Sequence, residues 1–394
     1  MKILITTDLF TTETNGVVTS TKNLWEELVN AGHEVRILTV AENTHSRKEG
    51  DVYFIRSMPL GAIYPDVRMP TSYRHKLIKE LVAWKPDMIH SQCEFFSFQF
   101  AHYIAKKSGA PIVHTYHTLY EQYVSYVLHM KGVGEKAVGK LSKMRLKNVQ
   151  LIIAPTTKVE NTLRAYGITV PIRVIPSGIR LDRHKLRLTP QERQAGREKW
   201  GIGPDQKVLL NLGRLGTEKN IDELIRYFAT AKRELRYDMK FLIVGGGPAK
   251  ESLEKLAGSL DLSRDVIFTG MVNPEEVAKY YQLGDVFVGA STSETQGLTY
   301  VEASANALPL LCRKDPCLDD VMFPGENGYT YTDEAEFCHY LDEIFADENW
   351  LENAGKRSEQ IALGYSKEAF GQAVQDAYNQ VLQNWKAEPE PMEV

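Results

Sequence analysis

Residues 286–303 read VFVGASTSETQGLTYVEA: an apolar run at Val286 to Val288, a polar loop from Ser291 to Gln296, and a helical pattern that opens at Gly297. A strand, a loop and a helix in that succession make half of a βαβ unit. The rhythm continues outward in both directions. In the same half, short β-branched or apolar runs predict strands at Val208 to Leu212, Lys240 to Val244, Val266 to Phe268 and Leu308 to Leu311. Earlier in the chain they predict strands at Lys2 to Thr6, Val35 to Val40, Val52 to Arg56, Asp87 to His90, Pro111 to Thr115, Leu151 to Ala154 and Ile172 to Ile175. Helical patterns fall between them, for example Ser20 to Asn30, closed by Gly32, and Ser72 to Trp84, stopped by Pro86. Alternation of this kind predicts an α/β fold with doubly wound parallel sheets covered by helices on both faces.

The stretch from Pro176 to Asp205 breaks the alternation with Pro, Gly and many charges, and reads as a connector. The expected organisation is an N-terminal domain over 1–176, a linker over 177–205 and a second domain over 206–365. A helix over 366–386 is expected to cross back to the first domain, ahead of a mobile tail at 387–394. The two halves are alike in architecture and not in sequence.

Composition narrows the function classes. The 394 residues are 43% hydrophobic and 25% charged, which excludes disordered and collagen-like chains. No run of about 18 apolar residues occurs, and the N-terminus lacks the pattern of a secretory leader, so a cytoplasmic protein is expected. Cys93, Cys312, Cys317 and Cys338 form neither a disulfide framework nor a zinc-site spacing. A formal net charge of −4 argues against nucleic acid as a partner.

Open parallel sheets bind ligands beyond the carboxyl ends of their strands, so the loops there are the candidate sites. Asn15-Gly16-Val17-Val18 precedes a helix, where backbone amides can meet an anion, or simply make a turn. Gly213-Arg214-Leu215-Gly216-Thr217-Glu218-Lys219-Asn220 brackets a glycine turn with two cations suited to a diphosphate; each cation alone reads as a surface charge. Gly245-Gly246-Gly247 allows close approach of a ligand or serves packing alone. At Gly297, Leu298 and Thr299 a helix start offers orphan amides to a phosphate. Glu294 and Glu302 offer carboxylates to vicinal hydroxyls, against the plainer reading of a cap and a solvated Glu. His117 lies in the loop beyond a strand and can reach a ligand, while His114, in strand register, reads as packed. Tyr120, Tyr123 and Tyr126 precede Lys136, Lys140, Lys143 and Lys147, which recur on one helix face. That stripe suits an anionic membrane surface or a solvated face equally. D-x-D, H-E-x-x-H, P-loop, G-x-S-x-G and G-x-G-x-x-G patterns do not occur.

The order of these segments resembles the retaining glycosyltransferases of family 4, which have the two-domain GT-B fold with Rossmann-like domains facing a cleft. The resemblance spans Met1 to about Tyr365: the Gly16 loop, His117, Gly213 to Asn220, and a Glu-x7-Glu pair at Glu294 and Glu302. Ser291 to Glu302 and His114 to Tyr120 are similar to the bacterial enzymes that glycosylate diacylglycerol. The resemblance implies that Gly16, Val17, Gly213, Arg214 and Lys219 hold the diphosphate of a UDP-sugar. The amides of Gly297, Leu298 and Thr299 would complete the cradle, with Glu302 on the ribose and Glu294 on the sugar. His117 would sit near the reacting carbon, and the base near Gly246 and Val272. Many relatives carry Asp after the Ile175 to Ile179 segment, where this chain has Arg180 and then Asp182, so Arg180 receives no role.

What the resemblance implies is transfer of a hexose, glucose before galactose, to a membrane lipid hydroxyl with retention. No metal or other cofactor is expected, and the enzyme would lie peripherally on the inner face of the cell membrane. The competing readings are a polysaccharide or soluble sugar acceptor, and a non-catalytic sugar-nucleotide sensor.

Overall fold

The computed structural model describes residues 1–10, 15–41, 45–59, 68–119 and 133–387; for 133–137 and 386–387 only the backbone is described. Two compact units result, one of Met1–Gly178 with Lys367–Val394, the other of Ile179–Ser366.

In unit 1 the strands are β1 (Lys2–Thr7), β2 (Glu34–Val40), β3 (Arg47–Glu49), β4 (Val52–Ile55), β5 (Ser57–Pro59), β6 (Arg68–Pro70), β7 (Met88–Ser91), β8 (Ile112–Thr115), β9 (Leu151–Ala154) and β10 (Ile172–Val174). Eight of them form one sheet in the order β10-β9-β8-β7-β1-β2-β4-β3, parallel except for β3 against β4. β5 and β6 pair as a separate antiparallel ribbon. Both faces of the sheet are buried, so its central strands are written in apolar residues throughout. Alternate residues serve opposite faces: Leu4 packs with Leu38, Ile89, Phe98 and Ile104, whereas Ile3 and Ile5 pack with Leu24, Leu28, Phe370, Val374 and Tyr378. The last three belong to the helix Lys367–Ala387, which returns to cover this sheet. Each such buried side chain contributes about 1.5–3 kcal/mol.

Unit 2 carries β11 (Lys207–Leu212), β12 (Met239–Val244), β13 (Val266–Gly270), β14 (Val286–Gly289), β15 (Leu310–Arg313) and β16 (Gly328–Tyr331). They form one parallel sheet in the order β13-β12-β11-β14-β15-β16, with a packed core on each face. In each unit the strand order reverses beside the first strand, between β1 and β7 and between β11 and β14. Those are the two switch points at which such sheets open a ligand crevice.

Several local readings are corrected. The first helix is Gly16–Asn30 and not Ser20 to Asn30, because the Asn15 side chain accepts the Val18 N–H at 2.9 Å and starts the helix there. The second is Lys76–Trp84 and not Ser72 to Trp84, with His75 as its cap. The strand placed at Leu308 to Leu311 is Leu310–Arg313, and β16 follows without having been anticipated. The connector holds the helices Leu181–His184 and Pro190–Glu198. A capping box between Thr189 and Glu192, with Pro190 in the first turn, starts the second of these. Its Arg193 and Arg197 bind Asp285 at 2.6 and 2.9 Å, which fastens the segment to unit 2 ahead of β14. Arg180 pairs with Asp182 at 3.7 Å. The tail at 388–394 lies outside the described residues.

Candidate functional site

The loops after β11 and β12 are built on each other. Gly213 N–H donates to Val244 O at 3.0 Å, Leu215 N–H to Gly246 O at 2.9 Å, and Ala249 N–H to Leu215 O at 2.9 Å. Gly245 and Gly247 have φ of 135° and 155°, and a Cβ on either would strike the backbone of Gly213 or Leu215. These two glycines are required by packing of one turn on the other. Gly246 is different, since what a Cβ there would meet is the flexible and exposed Met271 side chain. Val272 is half-buried against the core of the same unit.

Across the switch point, the loop after β11 meets the loop after β14. Asn220 donates from Nδ2 to Ala290 O at 3.1 Å, and the Ser293 hydroxyl to Glu218 O at 3.3 Å. Held by these bonds, Lys219 forms an ion pair with Glu294. Arg214, half exposed, pairs with the largely buried Glu218 four residues on. An ammonium has three N–H donors and a carboxylate two accepting oxygens, so one contact exhausts neither group.

Gly297 then starts the helix Leu298–Ala305 in the left-handed region, with φ 73° and ψ 69°. A Cβ there would meet the Tyr300 ring, and it would stand 3.4 Å from Glu294 Cγ, so the helix start and the ion pair are neighbours. Leu298 and Thr299 occupy the positions whose amides have no partner within a helix. Glu302, on the same helix, accepts a hydrogen bond from the Tyr281 hydroxyl at 2.8 Å. Burial pushes its carboxyl up to about 7, opposed by that hydrogen bond and by the charge of Arg183.

In unit 1, Gly16 and Val17 form the first turn of the helix Gly16–Asn30, which carries no acidic residue in that turn. His114 is buried and paired through Nε2 with Glu94 at 3.1 Å. His117 Nε2 lies 2.8 Å from Gln92 Oε1, and burial, with His114 nearby, pushes its pKa down to about 3. In the helix Val133–Leu146 and just after it, Lys140, Lys143 and Lys147 are exposed, and so are Leu141 (47%) and Met144 (60%) between them. Lys136 is on the same helix, where only backbone is described, and Tyr120, Tyr123 and Tyr126 lie outside the described residues.

Sequence reasoning overlooked Glu218, Tyr281 and Gln92 as partners. Glu218 had a local signal, standing four residues after Arg214; Tyr281 and Gln92 had none, because strand order brings them to Glu302 and His117. Among the described residues, no group of three or more His, Cys, Asp or Glu side chains is arranged to hold a metal ion, and no helix is long and apolar enough to cross a membrane.

Two family models fit the chain in succession: Glycosyltransferase Family 4 over residues 14–183 and Glycosyl transferases group 1 over residues 192–361. The alpha-monoglucosyldiacylglycerol synthase of Streptococcus pneumoniae is 34% identical over 381 residues, covering 96% of this chain and 85% of that protein. The chain belongs to the family 4 glycosyltransferases. A second relative of this glycosyltransferase, the alpha-monoglucosyldiacylglycerol synthase of Acholeplasma laidlawii, is 32% identical over 388 residues, 96% of each chain. Among solved structures, Anabaena HepE in complex with UDP and glucose matches with a TM-score of 0.75 at 16% identity, over 96% of this chain and 100% of that one. At that identity the match speaks to fold, and the fold is GT-B, as the resemblance implied. The switch-point residues of unit 2 thus lie in the group 1 segment of a glycosyltransferase, and those of unit 1 in its family 4 segment.

Proposed function

We propose that this enzyme moves a hexose, glucose before galactose, from a UDP-sugar to a hydroxyl of a diacylglycerol-type lipid, with retention at the anomeric carbon. The observation that carries the reading is the Lys219–Glu294 pair at the unit 2 switch point, next to the helix start at Gly297. Two relatives of nearly full coverage, both named alpha-monoglucosyldiacylglycerol synthase, support the choice of acceptor.

On this reading the donor diphosphate takes Lys219, Arg214 and the amides of Leu298 and Thr299, while Glu294 accepts from hydroxyls of the sugar and Glu302 from those of the ribose. Negative charge grows on the diphosphate as the sugar departs. Fixed cations and helix-start amides then stabilise the transition state more than the bound donor. They serve where other transferases use a metal, so activity without added metal is part of the proposal. A phosphate oxygen of the donor takes the acceptor proton on the face from which the leaving group departs, and the enzyme supplies alignment. Gly16 and Val17 are assigned to the diphosphate and His117 to the sugar.

The helix bearing Lys140 and Lys143, with Lys147 just beyond its end, supports a peripheral membrane surface. Its exposed Leu141 and Met144 would cost little in the headgroup region while the ammonium groups meet anionic lipid. The test is incubation with UDP-glucose or UDP-galactose and vesicles of diacylglycerol in anionic lipid, with soluble sugars as parallel acceptors. Mass spectrometry and the anomeric coupling of the product are the readouts. An α-linked glucosyl-diacylglycerol is expected. Product on soluble acceptors alone, or UDP binding without turnover on any acceptor, overturns the reading.

A further inference from the structure

We propose that Glu218 is a positioning residue: its buried carboxylate aims the Arg214 guanidinium at the donor diphosphate, and position 216 is glycine to leave room for that carboxylate. The proposal rests on the assignment of Arg214 above and adds the two residues through which that assignment acts.

Glu218 lies in the middle of a single 3₁₀ turn, Thr217–Lys219, between β11 and the helix Ile221–Glu234. Its backbone is pinned from the loop after β14, since the Ser293 hydroxyl donates to Glu218 O at 3.3 Å. The turn is closed by Gly216 N–H on Arg214 O at 3.0 Å and Lys219 N–H on Gly216 O at 3.1 Å. Glu218 is 8% exposed, so its carboxylate has lost most of its water and needs a donating partner. Among the described residues, the side chain that supplies one is Arg214. A guanidinium carries five N–H donors in a rigid fork, so a bond at one terminal nitrogen fixes its direction and leaves donors for a second anion. The Arg214 side chain is 51% exposed, which leaves it within reach of a ligand. Lys219, in the same turn, is paired with Glu294, so both cations of this loop are set by carboxylates.

An independent observation comes from Gly216. Its φ of −105° and ψ of 157° are extended backbone that any residue adopts, so the path of the chain does not call for glycine there. Space does: the three atoms that a Cβ on Gly216 would strike first are Oε1, Oε2 and Cδ of Glu218. Gly216 and Glu218 are matched to each other, and the match seats the carboxylate against the turn. A carboxylate beside a diphosphate site repels the ligand and shares its cation, so an apolar side chain would serve packing better. What the carboxylate provides is a fixed direction for the guanidinium.

The experiment uses the full-length protein and the variants Arg214→Ala, Glu218→Ala, Glu218→Gln, Gly216→Ala and the double change Arg214→Ala with Glu218→Ala. UDP affinity by calorimetry and hexosyl transfer to diacylglycerol vesicles are the readouts. Glu218→Ala should lose about tenfold in both, the scale of one charge-assisted hydrogen bond, and should add no further loss where Arg214 is already Ala. Glu218→Gln keeps an accepting oxygen for Arg214 and should recover most of the loss. Gly216→Ala leaves every charge in place and pushes the carboxylate off its seat, so it should weaken UDP binding with the thermal transition preserved. Glu218→Ala equal to wild type while Arg214→Ala is impaired overturns the role of Glu218 alone. Tighter UDP binding by Glu218→Ala, the mark of a carboxylate that only competes for Arg214, overturns it too, as does an equal loss in the Arg214→Ala background, the mark of a purely structural role. Wild-type affinity in Gly216→Ala overturns the part given to the glycine. Unimpaired Arg214→Ala, or a wild type that does not bind UDP, overturns the assignment of Arg214 itself. The affinity arm needs no acceptor, so it decides the point about Glu218 even if no glycolipid is made.

Discussion

Replacing Glu302 with Gln should make unit 2 more stable at neutral pH and, on the proposed role of Glu302, weaken binding of UDP. Burial raises the Glu302 carboxyl from 4.5 to about 7 in the folded protein, and in the unfolded chain it titrates near its ordinary value. Below about pH 4.5 the group is neutral in both states and costs nothing. Between there and about 7 the unfolded chain has released the proton and the folded chain retains it, so stability falls as pH rises. Above that window the whole penalty is present. At 1.36 kcal/mol per pKa unit the upper bound is about 3 kcal/mol, on the order of 10 °C in melting temperature for a unit of this size. Gln keeps an oxygen for the Tyr281 hydroxyl and removes the charge. The assay is thermal unfolding of both proteins from about pH 5 to 8.5, following the transition that UDP raises. The advantage of Glu302→Gln should be smallest at the acid end and grow to several degrees at the alkaline end. UDP affinity should drop roughly tenfold with loss of charge-assisted hydrogen bonds to the ribose. A gain that is the same at every pH, or a loss at the alkaline end, would refute the claim that this helix carries a desolvated carboxylate.

Transfer should persist in excess EDTA, measured as UDP release; a strict requirement for Mg²⁺ or Mn²⁺ would contradict the metal-free mechanism. Changing Lys140, Lys143 and Lys147 together to Gln should weaken binding to anionic vesicles by about two orders of magnitude, at roughly 1 kcal/mol per cation, and leave the thermal transition in place. Unchanged sedimentation with vesicles would return that helix to a solvated face. Gly297→Ala must place a Cβ at φ 73° against the Tyr300 ring, so a destabilisation of at least about 1 kcal/mol is expected in denaturant titration, with turnover falling as well.

The architecture was legible because a parallel strand buried on both faces is written as an apolar run, and the central strands, such as β1, β9 and β14, lie within a residue or two of where the runs stand. β16 was missed for the converse reason: Gly328-Tyr329-Thr330-Tyr331 is a half-buried edge strand with no apolar run. The helix inside the connector was not singled out because proline, glycine and charge mark both irregular chain and a well-capped helix; Thr189, Pro190 and Glu192 are the start signal within it. At the site, position along the strand ends was readable and pairing was not. Lys219 and Glu294 are 75 residues apart, and only the order β11-β14 brings their loops together. The same holds for Tyr281 on Glu302 and Gln92 on His117, where no spacing rule links the partners.

The most direct test of the donor site is to compare Lys219→Ala with wild type in two quantities, the rate of hexosyl transfer to diacylglycerol vesicles and the dissociation constant for UDP. If Lys219 neutralises the departing diphosphate, the rate should fall by about a hundredfold or more, well beyond the change in UDP affinity. A variant that binds UDP and transfers sugar at close to the wild-type rate would contradict the account.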